Sequence, residues 1–379
     1  MLYLQIVLLA LITGGLVFLG LIIGSARHYL RTRPRPALGP TPPISVVKPL
    51  HGIDEGLEDN LVSYFEQDYP DFEIILGVDT ADDQALPIAE RVRARYPHIP
   101  CRILVTGKPP YINPKVYSLE QLTNAVQHDL VVMSDSDIRV TPEHLRVIAA
   151  ELADPKLGLV TCPYRAVPGD SFWSRLEAIG MNTEFIAGIL VARRLEGMNF
   201  SVGPTIACRR KIFEDIGGFP RVKDSYIDDF LVGRYAHEAG WKVELSSYVI
   251  EHRIGTQTFR ANCKHRVTWL RGTRCSRPAG YYGQVFTYPT PWALVLTLVN
   301  SAWWPLLLAT LALRALAAHA TGEWVLHDPL TRRRWFLVPV QDLWSWFFYW
   351  LAYFGRTMTW RGRKYTIQPG GDLTPIIRP

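Results

Sequence analysis

Asp135-Ser136-Asp137 follows the apolar run Asp129–Met133 (DLVVM). Two hard carboxylates one residue apart can hold a divalent cation such as Mg²⁺ or Mn²⁺ and leave coordination positions for a diphosphate. A cation held there neutralises charge on a departing phosphate and acts as template and Lewis acid. An acidic turn is the plainer explanation of D-x-D by itself; its place at a strand end is what favours chemistry. Three other groups of residues extend the pattern. Asp79, Asp82 and Asp83 lie in VDTADD (78–83), and Lys115, in Asn113-Pro114-Lys115-Val116, is placed to meet a phosphate or base. Asp228-Asp229 lies in YIDDFL (226–231), where two acids would also suit the start of a helix. His51, His252 and His265 have no ligand spacing and are read as surface residues or as support for others.

The elements that must position these side chains alternate. Ile44–Val47, Phe72–Val78, Cys101–Val105 and Asp129–Met133 read as short buried strands. Between them Asp54–Phe65, Gln84–Tyr96 and Tyr117–Ala125 read as helices, the first with Leu57, Leu61 and Phe65 on one face. Such alternation predicts an α/β fold with a mostly parallel sheet and right-handed crossovers. Ligands bind at the carboxyl ends of strands in such sheets, where both VDTADD and the D-x-D fall. Beyond Pro168, Phe172, Leu176, Ile179, Ile186 and Leu190 recur at helical spacing, as a core helix or as one lying on a membrane.

Charge is distributed unevenly around this body. The 379 residues are 48% hydrophobic and only 20% charged, with a net charge of +6. No charge occurs before Arg27 or between Arg277 and Arg314. Disordered and disulfide-scaffold classes are excluded, and no basic-aromatic motif or zinc spacing points to nucleic acid. Residues 2–24 are long and apolar enough for an uncleaved membrane anchor. Residues 289–313 and 336–354 read as two further spans, the last interrupted by Asp342. If both cross, the loop with Arg332, Arg333 and Arg334 faces outward, against the positive-inside tendency, so one of them is expected to be re-entrant or interfacial. Arg27, Arg31, Arg33 and Arg35 after the first span, and Arg361, Arg363 and Lys364 after the last, fit a cytoplasmic face. Five cysteines without a C-x-x-C pair fit a reducing compartment. The expected organisation is an anchor (1–26), a basic proline-rich linker (27–43), a cytoplasmic catalytic domain (44–277), a membrane region of one or two spans (278–356) and a cytoplasmic tail (357–379).

Taken together, several blocks resemble the ceramide glucosyltransferase family of inverting GT-A glycosyltransferases (family 21, family 2-like), and in particular its bacterial, hopanoid-biosynthesis-associated branch. The blocks are K-P-L-x-G (48–52), F-x-Q-x-Y-P-x-F-E-I (65–74), N-P-K-V (113–116), D-S-D (135–137), and G-G-F (217–219) followed by D-D-F-L (228–231). The likeness extends from the anchor to the tail segment WRGRKY (360–365). It implies a GT-A, Rossmann-like domain with membrane helices at both ends, in a multi-pass protein of the bacterial inner membrane. The implied activity is transfer from a UDP-sugar to a lipid hydroxyl, with a divalent cation, Mg²⁺ or Mn²⁺, as cofactor. Acceptor candidates are ceramide, with glucose, and a hopanoid polyol, with N-acetylglucosamine. By the same resemblance Asp82 and Asp83, with Asp79 nearby, contact uracil or ribose. Asp135 and Asp137 hold the metal and diphosphate, and Asp229, preceded by Asp228, is the general base.

One block departs from the pattern. Where the family carries (Q/R)-x-x-R-W, this chain has His265-Arg266-Val267-Thr268-Trp269. Trp269 is retained, but a threonine cannot supply a forked cation to a diphosphate. Arg266, Arg271 and Arg274 are the substitutes considered, Arg271 being i+3 from Thr268. The departure keeps open a membrane sugar-nucleotide-binding protein without turnover. A processive polysaccharide synthase would need more spans and an intact motif.

Overall fold

The structure, a computed structural model, describes residues 1–33, 39–360 and 362–376. Arg35, Arg361 and the middle of the proline-rich linker lie outside the described residues. The chain divides into two compact units, Arg33–Val167 with Glu196–Gly255, and Met1–Thr32 with Pro168–Leu195 and Thr256–Pro379.

The first unit is built on ten strands: β1 (Ile44–Leu50), β2 (Phe72–Val78), β3 (Cys101–Val105), β4 (Leu130–Ser134), β5 (Ile138–Arg139), β6 (Leu157–Thr161), β7 (Tyr164–Pro168), β8 (Thr205–Arg209), β9 (Lys242–Leu245) and β10 (Ile250–Gly255). Seven form one sheet in the order β3-β2-β1-β4-β8-β6-β9. Every neighbouring pair is parallel except those involving β8, which runs antiparallel to β4 and β6. All residues of β1, β2, β4 and β6 are buried, as expected of central strands covered on both faces. Each fully buried Val or Ile there contributes about 1.5–3 kcal/mol over an exposed one. The chain leaves β1 toward β2 on one side, while β4 returns on the other. That reversal is the topological switch point at which open α/β sheets bind ligands. A small sheet, β5-β10-β7, lies beyond it, with His252 of β10 in register with Ile138 of β5.

Local chemistry moved several boundaries. The helix expected from Asp54 begins at Leu57, because Gly56 at φ 79° takes a left-handed turn that a helix cannot include. The helix expected from Tyr117 begins at Pro114: Asn113 caps it, accepting from Val116 N, and proline suits the first helical position. β1 runs three residues further than expected, to Leu50, paired with β2 throughout.

The other unit gathers the apolar helices. Residues Pro168–Leu195 and Thr256–Arg277, which the sequence reading assigned to the catalytic domain, belong here. The reason is the apolar face after Pro168. Leu176, Ile179, Ile186 and Leu190 are buried, and Ile179 packs with Ala318 and Val338, so this face is core. The helix is also interrupted, with a π turn at Met181–Phe185 between Phe172–Gly180 and Ile186–Glu196. Among the described residues two helical stretches are long and apolar enough to cross a membrane, Leu2–Thr32 and Ser301–Val325. The span expected over 289–313 is broken. Asn300 adopts an extended conformation and its side chain accepts from Ala302 N, which ends the helix Pro289–Val299 and starts the next. The span expected over 336–354 contains the helix Val338–Leu351, 14 residues, which is too short to cross by itself. A three-stranded antiparallel sheet closes the chain: β11 (Thr357–Trp360), β12 (Arg363–Ile367) and β13 (Leu373–Pro375).

Candidate active site

β4 ends at Ser134, and its buried polar anchor explains how Asp135 is held. Ser134 Oγ lies 2.5 Å from the Tyr64 hydroxyl and 3.0 Å from Thr205 Oγ1. Lys48, fully buried on β1, donates to the Asp135 carbonyl at 2.7 Å and sits 3.8 Å above the Tyr64 ring. Burial brings its ammonium down to about 7, against the pull of Asp135, Asp137 and Asp54. The Asp135 side chain faces Lys115, whose Nζ is 2.6 Å from Oδ1. Burial works against charge on Lys115, but Asp135, Asp228 and Asp229 outweigh it and raise its pKa.

Asp137 is reached through strand pairing. Arg253 N donates to its carbonyl at 2.8 Å, and His252 Nε2 is 3.0 Å from Oδ2. Burial opposes the charged form of both partners. Their mutual attraction prevails, lowering the Asp137 pKa and raising that of His252. Asp135 and Asp137 thus each hold a basic side chain of the protein where a cation would sit. The donor set fits a hard divalent ion that takes its remaining ligands from phosphate and water, which is the usual protein site for Mg²⁺. Among the described residues no group of three or more His, Cys, Asp or Glu is gathered as an all-protein cage.

Asp228 and Asp229 open the helix Asp228–Glu238. Asn113 ties this turn to the Lys115 helix, donating to the Ser225 carbonyl at 2.8 Å and to Asp228 Oδ1 at 3.0 Å. Asp229 faces Gly203; a Cβ there would stand 2.6 Å from Asp229 Oδ2, so only glycine leaves the carboxylate its place. Burial pushes Asp228 up to about 7, with Lys115 opposing and Asp229 adding to the rise. Burial also raises Asp229, again against Lys115. Lys115, Asp135, Gly203, Asp228 and Asp229 line one small cavity. A larger cavity, about 430 Å³, lies at the opposite, amino-terminal ends of β1 and β4 beside Pro42 and Leu130, away from this chemistry.

The residues after β2 form a second edge of the site. Asp83 Oδ1 accepts from Gly52 N at 2.9 Å and from Ala85 N at 2.8 Å. His51 Nδ1 stands 3.5 Å from Asp79 and 3.4 Å from Asp83. Asp82 is exposed, and its hydrogen bond with Thr80 lowers its pKa. The structure thus brings together Asp135, Asp137, Lys115, Asp228 and Asp229, with Asp79 and Asp83 joined through the β1 loop.

Arg266, Trp269, Arg271 and Arg274 belong to the other unit, on the helix Phe259–Ser276. There Arg266 pairs with buried Glu177 at 3.0 Å and donates to Ser345. Arg271 and Arg274 donate to the carbonyls of Thr357 and Gly355. Trp269 packs at a tilt against the Phe185 and His265 rings, and His265 lies 3.1 Å from Glu177. Sequence reading left Lys48 and Asp54 without a role and read His252 only as surface or support. Lys48 carried a usable signal, a lysine at the end of a mostly apolar run. His252 carried none, because its partner is 115 residues away.

Comparison with known proteins adds context to this geometry. The model of glycosyl transferase family 21 matches residues 7–373. Ceramide glucosyltransferase 1 of Caenorhabditis elegans is 27% identical over 224 residues, 59% of this chain and 47% of that protein. A ceramide glucosyltransferase of Komagataella phaffii is 37% identical over 109 residues, 27% of this chain and 21% of that protein. The chain spans about half the length of the nematode relative or less of the yeast one. Among solved structures, the mannosyltransferase PcManGT of Pyrobaculum calidifontis, in complex with GDP-Man and Mn²⁺, is similar with a TM-score of 0.55. That match has 19% identity and covers 91% of this chain and 98% of that one. The fold is the GT-A glycosyltransferase fold, a mostly parallel central sheet flanked by helices.

Proposed function

The chain belongs to glycosyl transferase family 21, and from that membership we propose that it transfers a sugar from a UDP-sugar to a lipid hydroxyl with inversion. Glucose transfer to ceramide is the form suggested by the named relatives. The observation that carries the reading is the cavity where Lys115 and Asp135 face Asp228 and Asp229 at the switch point of the sheet.

The roles follow from position. A lipid alcohol is a weak nucleophile near neutral pH. A carboxylate within about 2.6–3.2 Å takes its proton as the new bond forms. Asp229 suits this role, since Asp228 is engaged by Asn113 while the Asp229 carboxylate faces the space above Gly203. The anomeric carbon acquires oxocarbenium character, as in glycoside chemistry. A single base with no covalent partner gives inversion. Lys115 brings a fixed positive charge toward the departing diphosphate. Asp135 and Asp137 would hold the divalent cation, with His252 paired to Asp137 and orienting its carboxylate. The cation supplies Lewis acidity and charge neutralisation to the leaving group. Asp79, Asp82 and Asp83 are assigned to the uridine end. Leu2–Thr32 and Ser301–Val325 are taken as membrane-crossing, with the basic residues Arg27, Arg31 and Arg33 placing the catalytic unit on the cytoplasmic side.

A second reading is a sugar-nucleotide-binding membrane protein without turnover. Thr268 in the family's arginine position favours it, as does the engagement of Arg266, Arg271 and Arg274 by groups of their own unit. Product mass spectrometry on purified protein separates the two. The donors are UDP-glucose and UDP-N-acetylglucosamine with Mn²⁺, and the acceptors are ceramide and a hopanoid polyol. A glycosylated lipid supports transfer and identifies the pair. Retained UDP binding with no product from any combination establishes the second reading instead.

A further inference from the structure

Beyond the residues assigned above, one carboxylate at the site has no role. Asp54 lies in the loop His51–Glu55 that follows β1. Its Oδ2 accepts from Ser136 Oγ at 2.5 Å, and its carbonyl accepts from Leu57 N, fixing the turn. Among the described residues its Oδ1 has no hydrogen-bond partner and no basic side chain lies within ion-pair distance, His252 acting on it only from further away. Burial raises its pKa, and the nearby Asp137 and Asp135 charges add to the rise.

The loop touches two acidic segments. Gly52 N donates to Asp83 at one end, and Asp54 receives Ser136, the middle residue of the D-x-D, at the other. With the uridine base toward Asp79 and Asp83 and the diphosphate toward Asp135 and Asp137, this loop bridges them. In a nucleoside diphosphate the ribose is the part between base and phosphates. A carboxylate with an open oxygen is the usual acceptor for a ribose hydroxyl in α/β nucleotide sites. We infer that Asp54 accepts a hydrogen bond from a ribose hydroxyl of the donor, with Ser136 holding its carboxylate in place. The inference rests on the donor reading above.

The test is a binding cycle on the full-length protein in detergent with Mn²⁺, using UDP, 2′-deoxy-UDP and 3′-deoxy-UDP. A hydrogen bond to a charged group corresponds to about tenfold or more in affinity. Wild-type protein is therefore expected to bind at least one deoxy compound about tenfold more weakly than UDP. Asp54→Ala is expected to bind UDP more weakly and to lose that discrimination. Asp54→Asn keeps the shape and guards against misfolding; its ratio should also fall. An unchanged ratio in both variants, or a wild-type protein indifferent to both hydroxyls, overturns the inference and leaves the donor reading standing. Loss of Mn²⁺ binding without nucleotide in Asp54→Asn also overturns it, since Asp54 would then be a metal ligand. If the wild type binds no UDP at all, the donor reading itself fails and the inference falls with it.

Discussion

A general base must be ionised to work, yet Asp228 and Asp229 share a turn in which burial favours the proton on both, with the Asp135 charge adding to each rise and Asp229 to that of Asp228. Lys115 is the compensating charge, and it is held near by Asp135. The pH dependence follows in sign: the base is lost on protonation, so transfer should fall as pH is lowered and level off above. Burial raises the assigned base, Asp229, so the fall should lie at a higher pH than for a free carboxylate. A pH–rate profile of kcat/KM that stays flat down through the ordinary carboxylate range would count against Asp229 as base. Asp229→Asn should cost about 10²- to 10⁴-fold in rate while leaving UDP-sugar affinity nearly intact; loss of binding instead would place Asp229 with the donor. At this scale sequence was informative wherever chemistry is local. The D-x-D and Lys115 stood out by their places in the chain, whereas the Asp228-Asp229 pair drew a role only from the family resemblance. Lys48, Asp54 and His252 were not legible, because strand pairing and a loop contact bring them to Asp135, Ser136 and Asp137 from far along the chain.

At the scale of elements, the first four strands were read close to their true bounds because their apolar runs are continuous. The breaks were harder to see: Gly56 and Asn300 act through backbone conformation, which apolar periodicity does not register. Asp342, which interrupts an apolar stretch, has a packing explanation. Its carboxylate takes three contacts of 2.8–3.1 Å from Arg314 and a hydrogen bond from Thr290, all of them buried. Arg314 in turn donates toward Thr183 in the π turn. Breaking such a pair leaves an uncompensated buried charge, at a cost of about 3–5 kcal/mol, whereas replacing both partners by apolar residues is often neutral. Asp342→Leu should therefore lower the melting temperature in detergent markedly, and Arg314→Met combined with Asp342→Leu should recover most of it. Equal stability of the single variant and the parent would show that water or lipid already compensates Arg314.

On the scale of the whole molecule, the low charge content resolves into two units of different chemistry. One is a sheet whose carboxyl edge concentrates Asp54, Asp79, Asp83, Asp135, Asp137, Asp228 and Asp229. The other carries the uncharged stretches before Arg27 and after Arg277. The first helix is more than a tether within its unit. Leu8 and Ile12 are buried against Ala293 and Leu296. Gly15 lies so close to Pro289 that an added Cβ would meet its ring at 2.6 Å. Gln5 accepts from Trp303 Nε1, and Arg193 donates to Thr32 near the other end. A helix used only as an anchor would present its apolar surface to lipid, and removing it would release an otherwise intact protein. A helix packed along one face contributes core, and each buried Leu or Ile lost with it costs about 1.5–3 kcal/mol. Deleting residues 2–32 should therefore do more than change solubility. The truncated chain should lose yield and monodispersity in detergent, and helices of its unit, such as Pro289–Val299, should become accessible to limited proteolysis. Gly15→Leu, which keeps the apolar length but cannot make the close approach to Pro289, should reproduce part of that loss. A truncated protein that elutes as a single species with a parental digestion pattern would show that the helix serves as an anchor alone.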